Sequence, residues 1–466
     1  MTKLKFYNGL REIGGTFVAV ETDTTRCMFD FGFANADIID NKVKVGDKNW
    51  AFDYVNLGIL TPMDGIYDDE TAAKLGVKSF NKDDKKNFFV ISHMHIDHMG
   101  GLGMLDRGVP VYMSSESCTL YKHLAKMRDV EVREHENCIG IDYGKSFTIG
   151  DITVTCMQID HDVVGACGFM ITTADGNICY TGDYRFHGFH RNITEKFADD
   201  AHNCDVVITE GVTASFDDID MLSLEEPENM GNTEELLQEY MKEKSETEKG
   251  LVVINNYNRN VERIHNLINT ISKAGRKLVL EPEQADYVKA FYPEDKVNVL
   301  IRNTDNRMTS QEKEIKEREN CDIDSYRISK LDFDYTPVTL KELKDNPSGY
   351  VLQQDYRHIY DLIDLKDAVA LYVHADGSPL GDYDPSFKKF HMVLDKLGIT
   401  HEYKGTGGHS RPYYIRHMLD TIEPKVLVPL HSFRPEQVQS LKAGKRVLPE
   451  YGQSYELSGG DLKLVE

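Results

Sequence analysis

The sequence predicts an α/β protein whose chain is interrupted by a second α/β domain. Short apolar runs bounded by glycine and aspartate fill residues 1–211 and return after residue 404, which indicates one domain built from two separated parts. Between residues 212 and 404, strand-like and helix-like stretches alternate, as they do in parallel α/β sheets. Directly behind one apolar run, residues 93–98 contain three histidines and an aspartate, so we expect the fold to carry a metal site.

Nine strands are expected in the first part of the chain, because its apolar runs are short and rich in β-branched and aromatic residues. They cover residues 3–9, 15–22, 27–32, 88–93, 109–115, 152–160, 167–173, 177–184 and 204–211. Helices are expected between some of them, for example at residues 117–127.

The inserted block is expected to begin with an exposed, charged helix at residues 233–248. A strand at 251–256, an amphipathic helix at 260–275 and a strand at 276–282 follow. This order predicts a β-α-β unit with parallel pairing and a right-handed crossover. The polar residues 303–349 are expected to be solvated helix and loops.

The composition is that of an ordinary globular protein, with 40 % hydrophobic and 28 % charged residues. No apolar run approaches the roughly 18 residues of a spanning helix and no signal-peptide pattern opens the chain, so we expect a cytoplasmic protein without membrane contact. Eight scattered cysteines without a CxxC pair argue against a disulfide framework. The net charge of −23 makes a nucleic-acid partner less expected, and it predicts modest, salt-sensitive affinity for one unless Lys and Arg are concentrated in a groove.

The run from His93 to His98 is the strongest functional signal. Imidazole nitrogens and carboxylate oxygens are the ligands that Zn²⁺ and related divalent metals prefer. His93 and His95 are two residues apart, so both can point to one side of an extended backbone. Asp97 and His98 can address a neighbouring position where the next helix begins. Two adjacent ligand sets suggest two metal ions.

Further ligands are expected at strand ends later in the chain. His161, Asp183 and His431 each follow an apolar run directly. Asp183 suits a bridging role, since a carboxylate can contact two cations with its two oxygens. Taken alone, each of the three is an ordinary loop residue more often than a ligand, but together with the earlier run they favour a metal site.

This order of motifs resembles that of the metallo-β-lactamase superfamily along the whole chain, and Asp30 matches the strand-end aspartate of its first motif. The resemblance implies an αββα sandwich that holds two divalent metal ions per chain, zinc or alternatively manganese. It implies that His93, His95 and His161 hold one metal, that Asp97, His98 and His431 hold the other, and that Asp183 and a hydroxide bridge them.

A narrower resemblance is to the β-CASP branch of nucleases and, within it, to the ribonuclease J family. Residues 8–21 and 257–268 are similar to stretches of that family. Glu210 matches motif A and His409 matches motif B. His431 matches motif C, where histidine accompanies the RNA-processing members.

The same resemblance implies a metallo-β-lactamase domain at residues 1–211 and 405–466, with an inserted β-CASP domain at residues 212–404. The chain ends about where the core fold ends, so the C-terminal domain of the ribonuclease J family is expected to be absent. That domain helps to assemble dimers and tetramers, so the oligomeric state of the family does not carry over to this chain. If the protein oligomerises, we expect a dimer.

Motif B departs from the family pattern. Ribonuclease J usually has Ser-Gly-His-Ala-Ser there, whereas residues 407–411 read Gly-Gly-His-Ser-Arg. The family's serines are associated with holding a phosphate near the 5′ end of the RNA, so a preference for a 5′-monophosphate does not follow for this chain. Thr406, Ser410 and Arg411 are the alternative contacts.

The implied activity is that of a metal-dependent ribonuclease, endonucleolytic or 5′-exonucleolytic, that hydrolyses phosphodiester bonds of single-stranded RNA through the metal-bridging hydroxide. Catalytic roles are expected for Asp97, Asp183, His409 and Glu210, with Glu210 orienting His409 or, alternatively, capping a turn. Substrate contacts are expected from His409, Ser410 and Arg263. For Arg263, an ordinary salt bridge is an equal alternative.

Three other functions remain open from the sequence. The site could hydrolyse a thioester, lactone or cyclic phosphodiester, although an inserted domain fits a polymer better than a small molecule. It could cleave DNA. It could also be a binding site that has lost its activity, although such sites usually lose metal ligands first, and here the ligand set is complete.

Overall fold

The computed structural model describes residues 1–34, 50–129, 134–302, 316, 321–381 and 384–465. Its strands form three sheets, one of eight strands and two of seven. In chain order the strands are β1 Thr2–Asn8, β2 Phe17–Glu21, β3 Thr25–Phe29, β4 Lys86–Ile91, β5 Val111–Ser114, β6 Cys138–Ile141, β7 Ser146–Ile149, β8 Ile152–Gln158, β9 Cys167–Thr173, β10 Gly176–Tyr180, β11 Val206–Glu210, β12 Leu251–Asn256, β13 Lys277–Leu280, β14 Asn298–Ile301, β15 Thr336–Thr339, β16 Tyr350–Gln353, β17 Val369–Ala375, β18 His401–Tyr403, β19 Val426–Leu430, β20 Lys445–Arg446, β21 Ser454–Ser458 and β22 Asp461–Leu464.

The α-helices of the described residues lie on the outside of these sheets or between them. They are α1 Trp50–Asn56, α2 Asp69–Leu75, α3 Ile96–Met99, α4 Ser115–Lys126, α5 Arg191–Asp200, α6 Glu234–Thr247, α7 Val261–Lys273, α8 Pro282–Phe291, α9 Ile323–Ser329, α10 Leu340–Asp345, α11 Leu362–Leu365, α12 Phe387–Leu397 and α13 Pro412–Ile422. Within the described part of the chain, no helix is both long and apolar enough to cross a bilayer.

The first two sheets pack face to face. The eight-stranded sheet runs β22-β21-β1-β2-β3-β4-β5-β6, and the second sheet runs β20-β19-β11-β10-β9-β8-β7. Alternate side chains of both sheets meet in one core, for example Val18 and Val20 with Phe169 and Ile171. The outer faces belong to a second core that the sheets share with helices. The expected α/β class with two packed sheets is confirmed.

The third sheet contains only strands from residues 251–403 and runs β15-β14-β13-β16-β12-β17-β18. Each of its neighbouring pairs is parallel. Val252 and Ile254 join the core on one face, and Leu251 and Val253 join the core on the other. A parallel sheet covered on both faces has the continuous apolar strands that the sequence shows here.

All nine strands expected in residues 1–211 are present, but β6 and β7 were not expected. Both are four residues long and partly exposed, so neither carries a strong apolar signal. The expected strands around α7 are parallel, as predicted. They are not direct neighbours, however, because β16 lies between β12 and β13.

Two expectations about exposure were wrong in part. Helix α6 is not simply a solvated helix, because Glu234, Leu237 and Met241 are buried. The polar segment at residues 303–349 lies partly outside the described residues. Its described part contains β15 at the edge of the third sheet and the buried Arg327, which forms an ion pair with Glu283 at 2.9 Å.

A buried ion-pair network connects α6 and α7 to the loop that follows β10. The Glu234 carboxylate accepts hydrogen bonds from the Arg263 guanidinium at 2.8 Å through each of its oxygens. It also accepts one from Arg185 at 2.8 Å. All three side chains are almost completely buried, so the charges are compensated by one another rather than by water.

We expect Glu234→Gln to lower the free energy of unfolding by about 3 kcal/mol, because two buried guanidinium groups lose the carboxylate that they share and keep only Asp376 and Asp160 as partners. Denaturant midpoints measure this effect. Glu239→Gln on the exposed face of the same helix is the matched control and should change stability by less than about 0.5 kcal/mol. Equal effects of the two substitutions would contradict the role assigned to Glu234.

The Glu234 network also predicts how stability depends on pH. Burial alone would raise the pKa of Glu234, but Arg263 and Arg185 outweigh it and lower the pKa from 4.5 to about 2. A carboxyl whose pKa is lower in the folded chain stabilises fully above its unfolded pKa and loses that contribution as the pH falls toward 2. Acid unfolding curves of the wild type should therefore be steeper over this range than those of Glu234→Gln, and parallel curves would contradict the prediction.

Candidate metal centre

The expected metal ligands lie at the carboxyl ends of strands in the two packed sheets. His93 follows β4, and the short helix α3 behind it presents Asp97 and His98. Asp183 and His431 follow β10 and β19, which both pair with β11 in parallel and therefore end at the same edge of the second sheet. Residues far apart in the chain thus meet above one edge of the sandwich.

The structure brings the expected ligands together in two groups. Within each group the candidate ligand atoms lie within 4.8 Å of one another. One group consists of His93, His95, His161 and Asp183, and the other of Asp97, His98 and His431. Asp183 and His431 also form a third combination with His409 at the same spacing.

Asp183 is the centre of this cluster. Its Oδ2 lies 3.1 Å from His98 Nε2, 3.5 Å from His431 Nε2 and 3.7 Å from His93 Nε2. That oxygen has no hydrogen-bond partner among the described residues, although it is buried. One carboxylate therefore contacts nitrogens of both groups, which is the position that a bridging ligand needs.

The hydrogen bonds of the histidine rings indicate whether the cluster can bind cations. An imidazole that binds a metal directs one nitrogen at the metal and donates a hydrogen bond with the other. His98 Nδ1 pairs with Asp30 Oδ2 at 2.7 Å and His161 Nδ1 with the Gly408 carbonyl at 2.6 Å. His93 Nδ1 contacts Ser92 Oγ at 2.9 Å. The Nε2 lone pairs of these rings are therefore left for the cluster, and His93 Nε2 and His98 Nε2 are buried without partners among the described residues.

The hydrogen bonds of His431 make its ring less suited to bind a cation than the other histidines. Its Nδ1 accepts a hydrogen bond from the Gly14 N–H at 3.2 Å and contacts Thr16 Oγ1 at 3.1 Å. In a neutral ring this places the proton on Nε2, which faces Asp97 Oδ2 at 3.6 Å and Asp183. Ligation through Nε2 requires the Gly14 contact to be given up, so the group with His431 should bind its cation more weakly.

The electrostatics of the cluster favour neutral imidazoles at His93 and His161 and a positive charge at His98. Burial and the neighbouring imidazoles hold the pKa of His93 well below its ordinary range, and burial lowers that of His161 to about 3. Burial would also lower the pKa of His98, but Asp183 and Asp97 outweigh it and raise it well above 6.5. The carboxylates therefore attract positive charge to the position that His98 Nε2 faces.

Asp30 supports the segment that carries His93 and His98. Its carboxylate accepts hydrogen bonds from the Ser92 backbone N–H at 2.7 Å, from Ser92 Oγ at 2.8 Å and from the Tyr180 hydroxyl, in addition to its contact with His98. Asp30 has a φ of 58°, in the left-handed region that residues other than glycine seldom adopt. Such a conformation persists only where surrounding contacts enforce it.

His409 and Glu210 lie at the open side of the cluster. His409 Nδ1 is 3.0 Å from Glu210 Oε2 and 3.8 Å from Asp183 Oδ2. Glu210 is buried and also accepts hydrogen bonds from the backbone N–H groups of Tyr184 and Val212. Burial would lower the pKa of His409, but Glu210 and Asp183 outweigh it and raise the pKa to about 10.

The structure gives Arg263 and Ser410 a different place from the one expected of substrate-binding residues. Arg263 is completely buried, and its guanidinium is engaged by Glu234, by the Ala375 carbonyl at 2.8 Å and by Asp376 at 3.0 Å. No face of the guanidinium is left for a phosphate. Arg263 forms buried salt bridges, which was the alternative interpretation from the sequence. Ser410 is also completely buried, and its Oγ has no hydrogen-bond partner among the described residues, so its role as a substrate contact stays a prediction.

Sequence reasoning missed two contributors to the site. Asp162 Oδ1 lies 3.2 Å from His95 Nε2 and 3.4 Å from His161 Nε2, so it lies on the side of these rings that faces the cluster. Its position next to His161 was the signal that could have identified it. Gly408 is the second, because a Cβ there would lie 2.7 Å from the His161 ring, and only glycine lets the loop approach closely enough for the carbonyl contact.

Part of the chain matches a known protein family. Residues 77–238 match the family described as "Beta-lactamase superfamily domain", and this range contains most of the clustered residues. The match supports a metal-dependent hydrolase.

The chain is also similar to proteins named ribonuclease J. It is 21 % identical to that of Mycoplasma genitalium over 446 residues, which cover 92 % of this chain and 68 % of the relative. It is 21 % identical to that of Mycoplasma pneumoniae over 479 residues, which cover 100 % of this chain and 72 % of the relative. The similarity is low but includes all three sheets.

Among solved structures, the chain is similar to a crystal structure of a protein of unknown function from Enterococcus faecalis V583. The two are 26 % identical and superpose with a TM-score of 0.75, covering 97 % of this chain and 99 % of the other. The likeness of fold therefore extends over the packed sheets and the third sheet together.

We expect the purified protein to hold about two divalent ions per chain, one held more tightly than the other because His431 is the less suited ligand. Elemental analysis after dialysis against graded chelator concentrations measures both the number and the order of release. Asp183→Ala should lower the content of both ions, whereas His409→Ala should leave it unchanged. Loss of metal from His409→Ala would show that His409 is a ligand.

Asp30→Asn should weaken metal binding about 10–100-fold, because an amide cannot accept hydrogen bonds from Ser92 and His98 with both of its groups. Competition with a chromogenic chelator measures the affinity. Asp23→Asn, at an exposed position in the turn before β3, is the control and should bind metal as the wild type does. Unchanged affinity in Asp30→Asn would contradict the supporting role.

Proposed function

Because this chain contains a domain of the metallo-β-lactamase superfamily, we propose that it is a metal-dependent ribonuclease that hydrolyses phosphodiester bonds of RNA. The observation that carries the proposal is the position of His409, which lies beside Asp183 and is backed by Glu210 at the open side of the cluster. The similarity to proteins named ribonuclease J over most of the chain supports the same substrate class.

The proposed cations are two zinc ions, with manganese as the alternative. His93, His95 and His161 would hold the first, Asp97, His98 and His431 the second, and Asp183 would contact both. Two divalent cations supply a nucleophile at neutral pH and offset the charge on a phosphate during in-line displacement.

His409 is proposed to contact the scissile phosphate. Its Nδ1 is directed at Glu210, so Nε2 is the nitrogen that can meet substrate. A carboxylate behind an imidazole fixes its tautomer and orientation, and it stabilises the protonated ring. His409 can therefore donate a hydrogen bond to a non-bridging oxygen or a proton to the leaving oxygen, with Glu210 as its positioning residue.

Asp97 is the proposed acceptor of the proton from the attacking water. Its side chain is 27 % exposed, whereas that of Asp183 is 2 % exposed. Asp97 therefore reaches the open space above the cluster, while Asp183 is enclosed by imidazoles. A carboxylate that is both near the cluster and accessible can pass the proton on to solvent.

We further propose that an inserted β-CASP-like domain, built on the third sheet, forms one wall of a cleft for single-stranded RNA. We propose that this domain begins near Thr233 and not at residue 212. Ser215 contacts Ser432 at 2.8 Å and Ile219 donates to Gln437 at 2.8 Å, so the segment after β11 packs on the two-sheet sandwich. We propose that this domain ends near residue 404. We also propose that the protein is cytoplasmic and that, if it oligomerises, it forms a dimer.

The test uses metal-loaded protein with single-stranded RNA, matched DNA and a generic ester as substrates. RNA should be cleaved, and His409→Ala should lower kcat about 10²–10⁴-fold because a positioned proton donor is lost. Glu210→Gln should lower kcat by less, with metal content unchanged. Cleavage products resolved on gels also separate endonucleolytic from exonucleolytic action.

His202→Ala is the matched control, because His202 is an exposed histidine outside the cluster whose ring hydrogen-bonds to the Thr421 carbonyl at 2.8 Å. It should leave kcat and KM unchanged. Turnover of the ester without cleavage of RNA under either metal would overturn the proposal, and so would full RNA cleavage by His409→Ala.

A further inference from the structure

A cavity of about 520 Å³ lies behind the loop that carries His409. It opens between the start of α5 and the residues that lead into α6, and its lining residue His187 contacts Gly407 of this loop. It is lined by Phe186, His187, Gly188, Phe189, Arg191, Asn192, Glu195, Met230, Thr233 and Glu235. Nothing in the proposed hydrolytic site uses these residues.

His187 presents an unused hydrogen-bond acceptor in the wall of this cavity. The residue is 3 % exposed, and its Nε2 contacts the Gly407 carbonyl at 3.2 Å. Because a carbonyl can only accept, Nε2 carries the proton and Nδ1 carries a lone pair. That Nδ1 is buried and has no partner among the described residues, so it calls for a ligand that offers an N–H or O–H.

Arg411 supplies a positive charge at the same end of the cavity. Its guanidinium packs on Gly231, next to the lining residue Met230, so closely that a Cβ on Gly231 would lie 2.1 Å from one guanidinium nitrogen. Arg185 and Arg263 nearby are paired with Glu234, whereas Arg411 forms no ion pair with a carboxylate of the described residues. An unpaired guanidinium beside a cavity is suited to a phosphate.

Part of the remaining wall is apolar and aromatic, beside the polar lining residues Arg191, Asn192, Glu195, Thr233 and Glu235. Phe189 is half-buried and lines the cavity together with Met230. Phe186 beneath them is buried and stacks on Tyr414, with ring centroids 5.3 Å apart and an interplanar angle of 21°. A planar ring bound in the cavity would therefore meet a rigid apolar surface.

We propose that this cavity binds one nucleotide of the RNA strand, with the base against Phe189 and Met230, an N–H of the base donated to His187 Nδ1, and the phosphate on Arg411. The inference rests on the proposed function and names a second contact region for its substrate. His187 contacts the Gly407 carbonyl, two residues before His409, so the cavity adjoins the loop that carries His409.

The first experiment measures binding of adenosine 5′-monophosphate to the metal-loaded protein by calorimetry. Saturable binding at one site is expected, with adenosine and N6,N6-dimethyladenosine 5′-monophosphate both at least about tenfold weaker, because each lacks one of the proposed contacts. Asp183→Asn should bind the nucleotide as the wild type does. Loss of binding in Asp183→Asn would place the nucleotide at the metal centre and overturn the proposal.

Two variants locate the site. Arg411→Ala should weaken nucleotide binding about tenfold, and Met230→Trp should abolish it by filling the cavity. Arg107→Ala and Met392→Trp change the same residue types at exposed positions elsewhere and should bind normally. Normal binding by Arg411→Ala and Met230→Trp would overturn the assignment, as would failure of every monophosphate to bind.

The second experiment separates this inference from the proposed function. With an RNA oligonucleotide as substrate, Met230→Trp should raise KM at least about fivefold while kcat stays within about twofold. If the wild type cleaves RNA and Met230→Trp has an unchanged KM, the inference fails and the ribonuclease proposal survives. If the wild type cleaves no RNA but binds nucleotides at this cavity, the nucleotide site survives and the proposed activity fails.

Discussion

The buried carboxylate of Glu234 is the interaction on which the geometry of the site depends. It binds Arg185 from the loop behind Asp183 and Arg263 from the first turn of α7, so it links the two-sheet sandwich to the third sheet through charge, in addition to the apolar core that they share. An ion pair of this kind has little freedom of position, because each guanidinium must satisfy its donors with fixed partners. The loop after β10 is therefore held in a fixed position relative to α6 and α7.

The loop that carries His409 is fixed by the same network. Thr406 accepts a hydrogen bond from Arg263 and donates its backbone N–H to Asp376 at 2.8 Å, and Gly407 accepts one from Arg185. The loop then continues past the Gly408 carbonyl to His409. A residue proposed to meet substrate is thus positioned by charges that lie beneath it and never touch the substrate themselves.

Features that depend on residues close together in the chain could be predicted from the sequence, whereas features that depend on distant residues could not. The strands of residues 1–211 and the clustered ligands could be found because each depends on local apolar runs that end in His or Asp, and parallel strand ends bring such residues together. Arg263 could not be assigned, because its partner Glu234 is 29 residues away and reads as part of a charged surface helix. The strand β15 was missed for a similar reason, since a short edge strand in a polar segment has almost no apolar pattern.

The hydrogen bond between His161 and the Gly408 carbonyl has a consequence for the order in which the molecule assembles. The two residues are 247 positions apart, and His431 joins the cluster later still. Contacts of such long sequence separation close late, after the local elements have formed. A chain emerging from the ribosome can complete β1 to β11 well before the residues that finish the metal centre have been synthesised. The cluster around Asp183 is therefore completed only late in synthesis, when the segment that contains His409 and His431 has been added.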